Sequence, residues 1–491
     1  MRYGIDFGTT RTVIAEVDRG NYPVVNVTDA AGDPQEFIPT VIAHDGEKLL
    51  SGWDAEAFEG AELTRSFKRY LSAPDASAHT EVKVGDKVFP LSTVFGHFAA
   101  YVIDKLKAGV AADEPIEVIL GVPAHARSAQ RLLTVDAFTR AGATVLGLVN
   151  EPSAAGFEYS HRYSRTLNTK RTSIIVFDLG GGTFDATLLR IDGLDHVVER
   201  STGIARLGGD DFDDVLAGLA LSPEQLSAGV PVRTMDAIRR AKEQIKPQTR
   251  KILIDLPDGE AVVPVADFFE AATPLVESTV EALKPLLGEQ DSLRETEIAG
   301  LYLVGGASAL PLVARILRER FGRRVHRSPL PTASTAVGLA IAADPDSAVQ
   351  LRDRLARRIG VFREEDEGAT ISFDELVGPE DSSQSDGEIK VTRNYQAAHN
   401  VGVFRYVEYS SMDDDSPGDF SVLAEVRVPF ERGLRDVANL QQVEIARSGS
   451  GPLVRETITI DSDGVATIHI ALDDGFEVTV QAEVGVAAAT G

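Results

Sequence analysis

The segment Ile175-Val-Phe-Asp-Leu-Gly-Gly-Gly-Thr-Phe-Asp185 joins two strongly apolar runs through three successive glycines. Each glycine weakens a strand, so three together are costly as structure alone. What they permit is close approach of backbone N–H groups to a phosphate oxygen, with no Cβ in the way. Asp178 and Asp185 bracket the turn and could serve a magnesium ion or position a water molecule, and Thr183 closes it with a hydroxyl. The plain alternative is a mobile turn.

The same unit stands near the N-terminus. Tyr3-Gly-Ile-Asp-Phe-Gly-Thr-Thr10 is a strand-like run, a carboxylate and a Gly/Thr turn, and Thr12–Val17 returns as a second strand, as Asp185–Ile191 does after the first turn. Gly8, Thr9, Thr10 and Arg11 are the counterparts of Gly180, Gly181, Gly182 and Thr183, and Asp6 is the counterpart of Asp178. Alone, the shorter copy would pass for an ordinary hairpin. Two copies imply two duplicated lobes that face each other across a cleft. A third turn, Gly305-Gly306-Ala307-Ser308, follows the strand-like Ala299–Val304 and precedes a helix opened by Pro311, an arrangement that holds phosphate or adenosine in many nucleotide sites.

Outward from these turns the chain alternates strands and helices as far as Ala343. Val94, Phe98, Val102 and Leu106 give Thr93–Lys107 an amphipathic helical period, and Leu312, Val313, Ile316, Leu317 and Phe321 do the same beyond Pro311. Glu117–Val122 and Ser173–Asp178 read as strands. The expected fold is therefore α/β over residues 1–345. Residues 346–388 read as a linker, with a charged helix over Asp346–Arg358 and an irregular acidic stretch over Arg363–Glu388. Residues 389–485 alternate as strands: Ile458 and Ile460, then Ala466, Ile468 and Ile470 beyond an Asp461–Gly464 turn, then Phe476, Val478 and Val480. They predict a separate antiparallel β-sandwich-like domain, with 486–491 as a frayed tail.

Composition narrows the function. The formal charge of −26 opposes general nucleic-acid binding, which needs an excess of Lys and Arg. No cysteine is present, which removes disulfides and thiolate metal sites and suits a cytoplasmic protein. No apolar run is as long as a membrane span. The nine histidines form no HExxH-type cluster, and no GxxxxGK[ST] loop occurs, so neither a zinc hydrolase nor a P-loop enzyme is expected.

The motifs IDFGTT, FKR, VPA…AQR, NEPSAAG, DLGGGTFD, LGGDDFD and LVGGASALP, in that order from Tyr3 to about Ala343, resemble the seventy-kilodalton heat-shock protein (DnaK-type) chaperone family. The resemblance implies an actin-like, duplicated ribonuclease-H-like ATPase domain that uses ATP/ADP and Mg2+. Lys68 matches the family's catalytic lysine, which unaided would read as a solvated charge. Glu151 matches a carboxylate that assists hydrolysis and senses ATP, Asp178 and Asp6 match aspartates that hold magnesium through water, and Thr183 matches the threonine beside the γ-phosphate. Gly208, Gly209 and Asp210 fall in a further nucleotide motif, Lys242 matches an adenosine-site lysine, and Pro123 and Arg131 match the pair that relays nucleotide state.

The sequence also departs from the family pattern. Arg239, Glu243 and Lys246 stand where the family has an acid, an arginine and a serine around the adenosine, and Ala309 replaces an arginine. Gly147 replaces an arginine used in partner contacts, and Arg354–Phe362 replaces the apolar interdomain linker. No long helical segment follows the β domain, so a member without the helical lid is expected. Three functions follow in order of preference: a slow ATPase and chaperone for unfolded or extended polypeptide, aided by J-domain-like or nucleotide-exchange partners; a nucleotide-regulated scaffold for a dedicated protein partner; and a small-molecule phosphotransferase.

Overall fold

The computed structural model describes residues 1–483 except 59, 61, 73–76, 112–113, 124–125, 127, 164–166, 168–169, 193–194, 205, 258, 288–296, 348–357, 366–369, 379–388, 410–411, 414–415, 418–419, 438 and 461–464. In the first lobe, β1 (Arg2–Phe7) and β2 (Arg11–Glu16) pair antiparallel. After helix α1 (Leu91–Lys107), strand β3 (Glu117–Val122) lies parallel to β1. Helix α2 (Ser128–Arg140) leads to β4 (Thr144–Asn150), parallel to β3, and helix α3 (Glu151–Tyr163) leaves the lobe. The period read in α1 is the face it buries: Val94, Phe95, Phe98, Val102, Ile103 and Leu106 all lie inside, and Lys105 and Lys107 complement the helix C-terminus.

The second lobe repeats this plan. β5 (Ser173–Leu179) pairs antiparallel with β6 (Phe184–Asp192), and β6 with β7 (Asp195–Ile204). Helices α4 (Gly209–Ala220) and α5 (Val232–Glu243) follow. β8 (Ile298–Val304) is parallel to β5, α6 (Pro311–Phe321) leads to β9 (Val325–Arg327) parallel to β8, and α7 (Ser334–Ala343) closes the unit. The orders β2-β1-β3-β4 and β6-β5-β8-β9 are therefore the same motif twice. Helices α3 and α7 occupy equivalent places and cross each other. A Cβ on Gly338 would stand 1.8 Å from the Ala154 carbonyl oxygen, so glycine sets this close crossing.

The C-terminal part is a β-sandwich, and it begins earlier than the sequence pattern suggested. β10 (Arg358–Glu365) and β11 (Thr370–Val377) pair antiparallel within the stretch read as linker and acidic loop. Ile359 and Val361 are buried, and the neighbouring charges that hid the alternation are paired, Arg363 with Asp374 at 3.0 Å and with Glu456 at 2.8 Å. The expected helix over Asp346–Arg358, the Asp461–Gly464 turn and the 486–491 tail lie wholly or mostly outside the described residues. β12 (Ile389–Gln396), β13 (Val401–Tyr409), β14 (Phe420–Pro429), β15 (Leu453–Ile460), β16 (Val465–Leu472) and β17 (Glu477–Glu483) complete the sandwich. One layer is β12-β15-β16-β17.

The other layer, β11-β10-β13-β14, is not separate. β14 pairs antiparallel with β4, Ser421 opposite Gly147 and Phe420 opposite Leu148, so the first lobe and the sandwich share a nine-stranded sheet ending at the short strand Ile38–Pro39. Phe373, Val407, Tyr409 and Phe420 join the same apolar core as Phe138, Val145 and Leu148 of the first lobe. Each fully buried aromatic of this kind contributes roughly 1.5–3 kcal/mol relative to exposure. Gly147, the departure noted in the sequence, is a buried residue at this junction.

Candidate functional site

The Gly-rich turns at the ends of β1, β5 and β8 open into one cleft of about 840 Å³ between the lobes. It is lined by Asp6, Gly8, Thr9, Thr10 and Arg11 from the first lobe, and by Asp178, Gly180, Gly181, Thr183, Gly209, Asp210, Lys242, Gly305, Gly306 and Ala307 from the second. Lys68, Pro123 and Glu151, also expected, line it as well. Four expected residues do not line it. Gly208 packs beneath Gly181 and Gly182, and the Gly182 carbonyl accepts a hydrogen bond from Arg69 at 2.9 Å. The Ser308 hydroxyl is buried and donates to the Val304 carbonyl. Arg131 is buried and donates to the Ala126 carbonyl at 3.0 Å and to Asn150 Oδ1 at 2.8 Å. Gly305 has φ 84°, and a Cβ there would lie 2.3 Å from Asp178 Oδ1, so the third turn presses directly on the second.

At the floor, carboxylates converge around one amine. Lys68 lies in the 3-10 turn Phe67–Ser72, anchored by Phe67 among the rings of Phe7, Phe95 and Phe98. Its Nζ donates to the Phe7 carbonyl, stands 3.3 Å from Glu151 Oε1 and lies 5.2 Å from the Phe7 ring centroid. Glu151 opens α3, where the helix N-terminus favours negative charge. Burial, then the charge of Glu151, pushes the Asp6 carboxyl up to about 7, with Lys68 opposing. Burial, followed by Glu151, Asp185 and Asp6, raises Asp178 well above the usual carboxylate range.

Such a floor suits a cation, which would relieve the repulsion between buried carboxylates. Among the described residues no three carboxylate or imidazole groups stand close enough to share a metal directly. The Asp6 and Asp178 carboxylates are of the type that a magnesium ion takes while keeping most of its waters.

The other side of the cleft is dominated by arginines. Arg239 reaches Asp210 and Asp213 at 3.0 Å each, and Lys242 reaches Asp213 at 2.7 Å. Burial raises the Asp213 carboxyl, with Lys242 and Arg239 opposing. Three first-lobe arginines cross to the second lobe: Arg11 to Glu243 at 2.6 Å, Arg65 to Asp236 at 3.1 Å, and Arg69 to the Gly182 carbonyl and to Asp210 at 3.5 Å. Glu243 and Arg239, departures from the family pattern, are thus engaged by charge partners in the cleft. The roles of Arg65 and Arg69 were missed, although Arg69 directly follows Lys68 in its motif. Pro331, Thr332 and Thr335, also on the wall, carried no sequence signal.

Two duplicated lobes around a Gly-turn cleft, with a β-sandwich attached, make an actin-like nucleotide-binding protein. The family model described as Hsp70 protein matches residues 2–355. The chain belongs to the Hsp70 family, a family of ATPases. It is similar to the "Chaperone protein HscA homolog" of Vibrio parahaemolyticus, 32% identical over 73% of this chain and 61% of that protein. It is also similar to the homolog of the same name from Shewanella denitrificans, 28% identical over 95% of this chain and 75% of that one. The "Chaperone protein HscA" of Serratia proteamaculans is 29% identical over 97% of this chain and 77% of its own length. The match thus spans less than two thirds of the Vibrio relative. No described helix is long and apolar enough to cross a membrane.

Proposed function

We propose that the chain binds and hydrolyses ATP and uses the bound nucleotide to alter how its β-sandwich engages extended polypeptide. The observation that carries this reading is the double use of β4. The strand ends at Asn150, immediately before Glu151 in the cleft, and pairs with β14 of the sandwich at Gly147 and Leu148. A change at Glu151 therefore has a route of only a few residues to the sandwich. Arg131 lies on α2, the helix whose Asp136 pairs with Arg405 of the sandwich, and holds Asn150 from the other side.

The chemistry is phosphoryl transfer to water, in which positioning and charge stabilisation supply most of the catalysis. The Gly8–Thr10 turn, together with Gly181 and Thr183 of the second turn, holds the phosphates by N–H and hydroxyl groups. Lys68 steadies the γ-phosphate and the attacking water, and Glu151 orients that water. Asp6 and Asp178 would hold a magnesium ion through its waters, and that ion would supply positive charge to the phosphate oxygens. A cytoplasmic location, J-domain-like or nucleotide-exchange partners, and clients bound by strand addition belong to this reading. A scaffold for one folded partner is the second reading, favoured by the apolar core that the sandwich shares with the first lobe.

The test is binding of a fluorescent apolar peptide without nucleotide, with ADP and with ATP, for the wild type, Lys68→Ala and Glu151→Ala. The chaperone reading expects ATP to speed peptide release, with Lys68→Ala lowering hydrolysis about 10²-fold or more and Glu151→Ala damaging the response to ATP. ATP hydrolysis with no peptide bound in any state would leave the scaffold.

A further inference from the structure

We propose that Glu158 is a positioning residue for nucleotide binding: its buried carboxylate ties the segment 328–334, whose Pro331 and Thr332 line the cleft, to the helix that carries Glu151. The proposal rests on reading the cleft as a nucleotide site.

Glu158 lies seven residues after Glu151 on α3, two helical turns further along nearly the same face. Unlike Glu151 it has no solvent exposure at all. A carboxylate is rarely buried so fully unless it is well supplied with donors. Glu158 accepts from the Tyr302 hydroxyl at 2.6 Å, from the Ser328 hydroxyl at 3.2 Å and from the Ser334 hydroxyl, and it pairs with Arg162 at 2.6 Å.

The donors come from three separate pieces of the second lobe. Tyr302 is on β8, three residues before Gly305. Ser328 directly follows β9, and Ser334 opens α7 beside Thr335. Between the two serines lie Pro331 and Thr332, which line the cleft with Thr335. The Pro331 carbonyl accepts from the Gly305 N–H at 2.9 Å, so this segment also braces the third Gly turn. One acceptor thus gathers the strand before Gly305, both ends of the wall segment and the helix of Glu151. Without it, Tyr302, Ser328 and Ser334 would keep buried hydroxyls with no common acceptor. The segment would keep its backbone bonds, among them Ser328 N–H to the Leu303 carbonyl at 3.1 Å, but lose its side-chain tie to α3, while the chemistry at Lys68 and Glu151 stayed in place.

The test uses the full chain with Glu158→Ala, Glu158→Gln, Ser334→Ala and Arg162→Ala, the last lowering stability by stranding the buried charge while leaving the acceptor for Tyr302, Ser328 and Ser334 in place. A fluorescent ADP analogue gives Kd, phosphate release gives kcat and KM, and hydrogen exchange reports on residues 328–334. Glu158→Ala is expected to raise Kd for ADP and KM for ATP about tenfold, the equivalent of one or two buried hydrogen bonds, with kcat at saturation within about threefold. Amides of 328–334 should exchange faster. Glu158→Gln, which keeps a carbonyl acceptor, should recover part of the affinity, Ser334→Ala should follow Glu158→Ala in direction, and Arg162→Ala should change Kd less than twofold. A lower melting temperature with unchanged Kd and KM would reduce Glu158 to a stability residue and overturn the proposal, as would a fall in kcat at constant KM. If Glu158→Ala does not fold, Glu158→Gln and Ser334→Ala decide. A wild type that binds no ADP would sink the nucleotide reading itself, an outcome distinct from a wild type that binds and a variant that binds equally well.

Discussion

Asp136 and Arg405 are 269 residues apart in the chain and 2.8 Å apart in space. Asp136 belongs to α2 of the first lobe and Arg405 to β13 of the sandwich, where Arg405 also pairs with Glu425 at 2.8 Å. The pair sits beside the β4–β14 junction and is largely shielded from water. Breaking a buried pair by removing one partner costs more than the pair is worth, because the other charge stays behind.

Arg405→Ala should therefore destabilise the chain by about 3 kcal/mol. Asp136→Ala should cost less, since Glu425 still neutralises Arg405. In a double-mutant cycle the two changes should fall short of additivity by about 1 kcal/mol or more, in the range of charge pairs in contact. Denaturant melts provide the numbers, and hydrogen exchange in residues 420–429 should rise in Arg405→Ala. Strict additivity would mean that the two side chains do not support the junction.

Much of this is legible in the sequence, and the reasons are local. The repeated strand–carboxylate–turn unit encodes each lobe within about fifteen residues, so Asp6, Thr183 and the Gly turns stand out without any knowledge of the cleft. The helix periods in Leu91–Lys107 and Pro311–Phe321 are equally local. What stays hidden depends on distant partners. Arg363 and Asp374 look like solvated charges until they face each other and Glu456 across the sandwich. The pairing of Gly147 with Ser421 is a meeting of two edges that no short window contains. Arg65 and Asp236 are in the same position, each unremarkable alone and joined only across the cleft.

The ion pair between Arg11 and Glu243 spans the mouth of the cleft, with Arg11 also 4.4 Å from the Phe37 ring centroid. Both side chains are partly exposed, so the pair contributes on the order of 0–1 kcal/mol and is weakened by salt. Glu243→Ala should speed release of a fluorescent ADP analogue by up to about fivefold at low ionic strength, shrinking towards unity at high salt. Stopped-flow displacement measures this. Unchanged release at low salt would show that the pair does not restrain the lobes.

The buried carboxylates give the nucleotide-free protein a pH dependence of definite sign. Asp6 has an ordinary value of 3.8 and is pushed up to about 7 in the folded chain, and Asp178 is raised as well. Between those values the folded state holds protons that the unfolded state has lost, so stability falls as pH rises from about 4 to about 7. Each tenfold change in proton affinity is worth about 1.4 kcal/mol, and Asp6 and Asp178 act in the same direction. Melting temperature without nucleotide or magnesium should therefore drop across that window, and Asp6→Asn should flatten the drop. A wild-type stability that climbs between about pH 4 and 7, with Asp6→Asn behaving identically, would contradict the convergence of charges at the cleft floor.

The sandwich holds its own buried charge. Glu456 is 1% exposed and takes hydrogen bonds from the Tyr395 hydroxyl at 3.0 Å, from the Tyr406 hydroxyl and from Arg363 at 2.8 Å. Arg363 lies 4.9 Å from the Tyr395 ring centroid as well. Since Glu456 is on β15 of one layer while Arg363 and Tyr406 are on β10 and β13 of the other, the network fastens the two layers together. Removing the carboxylate leaves the two tyrosine hydroxyls short of an acceptor in the interior, while Asp374 still pairs with Arg363 at 3.0 Å, and Glu456→Ala should cost roughly 2–3 kcal/mol. Replacing Glu456 and Arg363 together with apolar residues of similar volume should be milder, because the space stays filled and Asp374 keeps Arg393 at 3.2 Å. Glu456→Met with Arg363→Met should therefore be more stable than Glu456→Ala alone in urea melts. If the double variant were the worse of the two, the charge itself, rather than its satisfaction, would be what holds the layers in register.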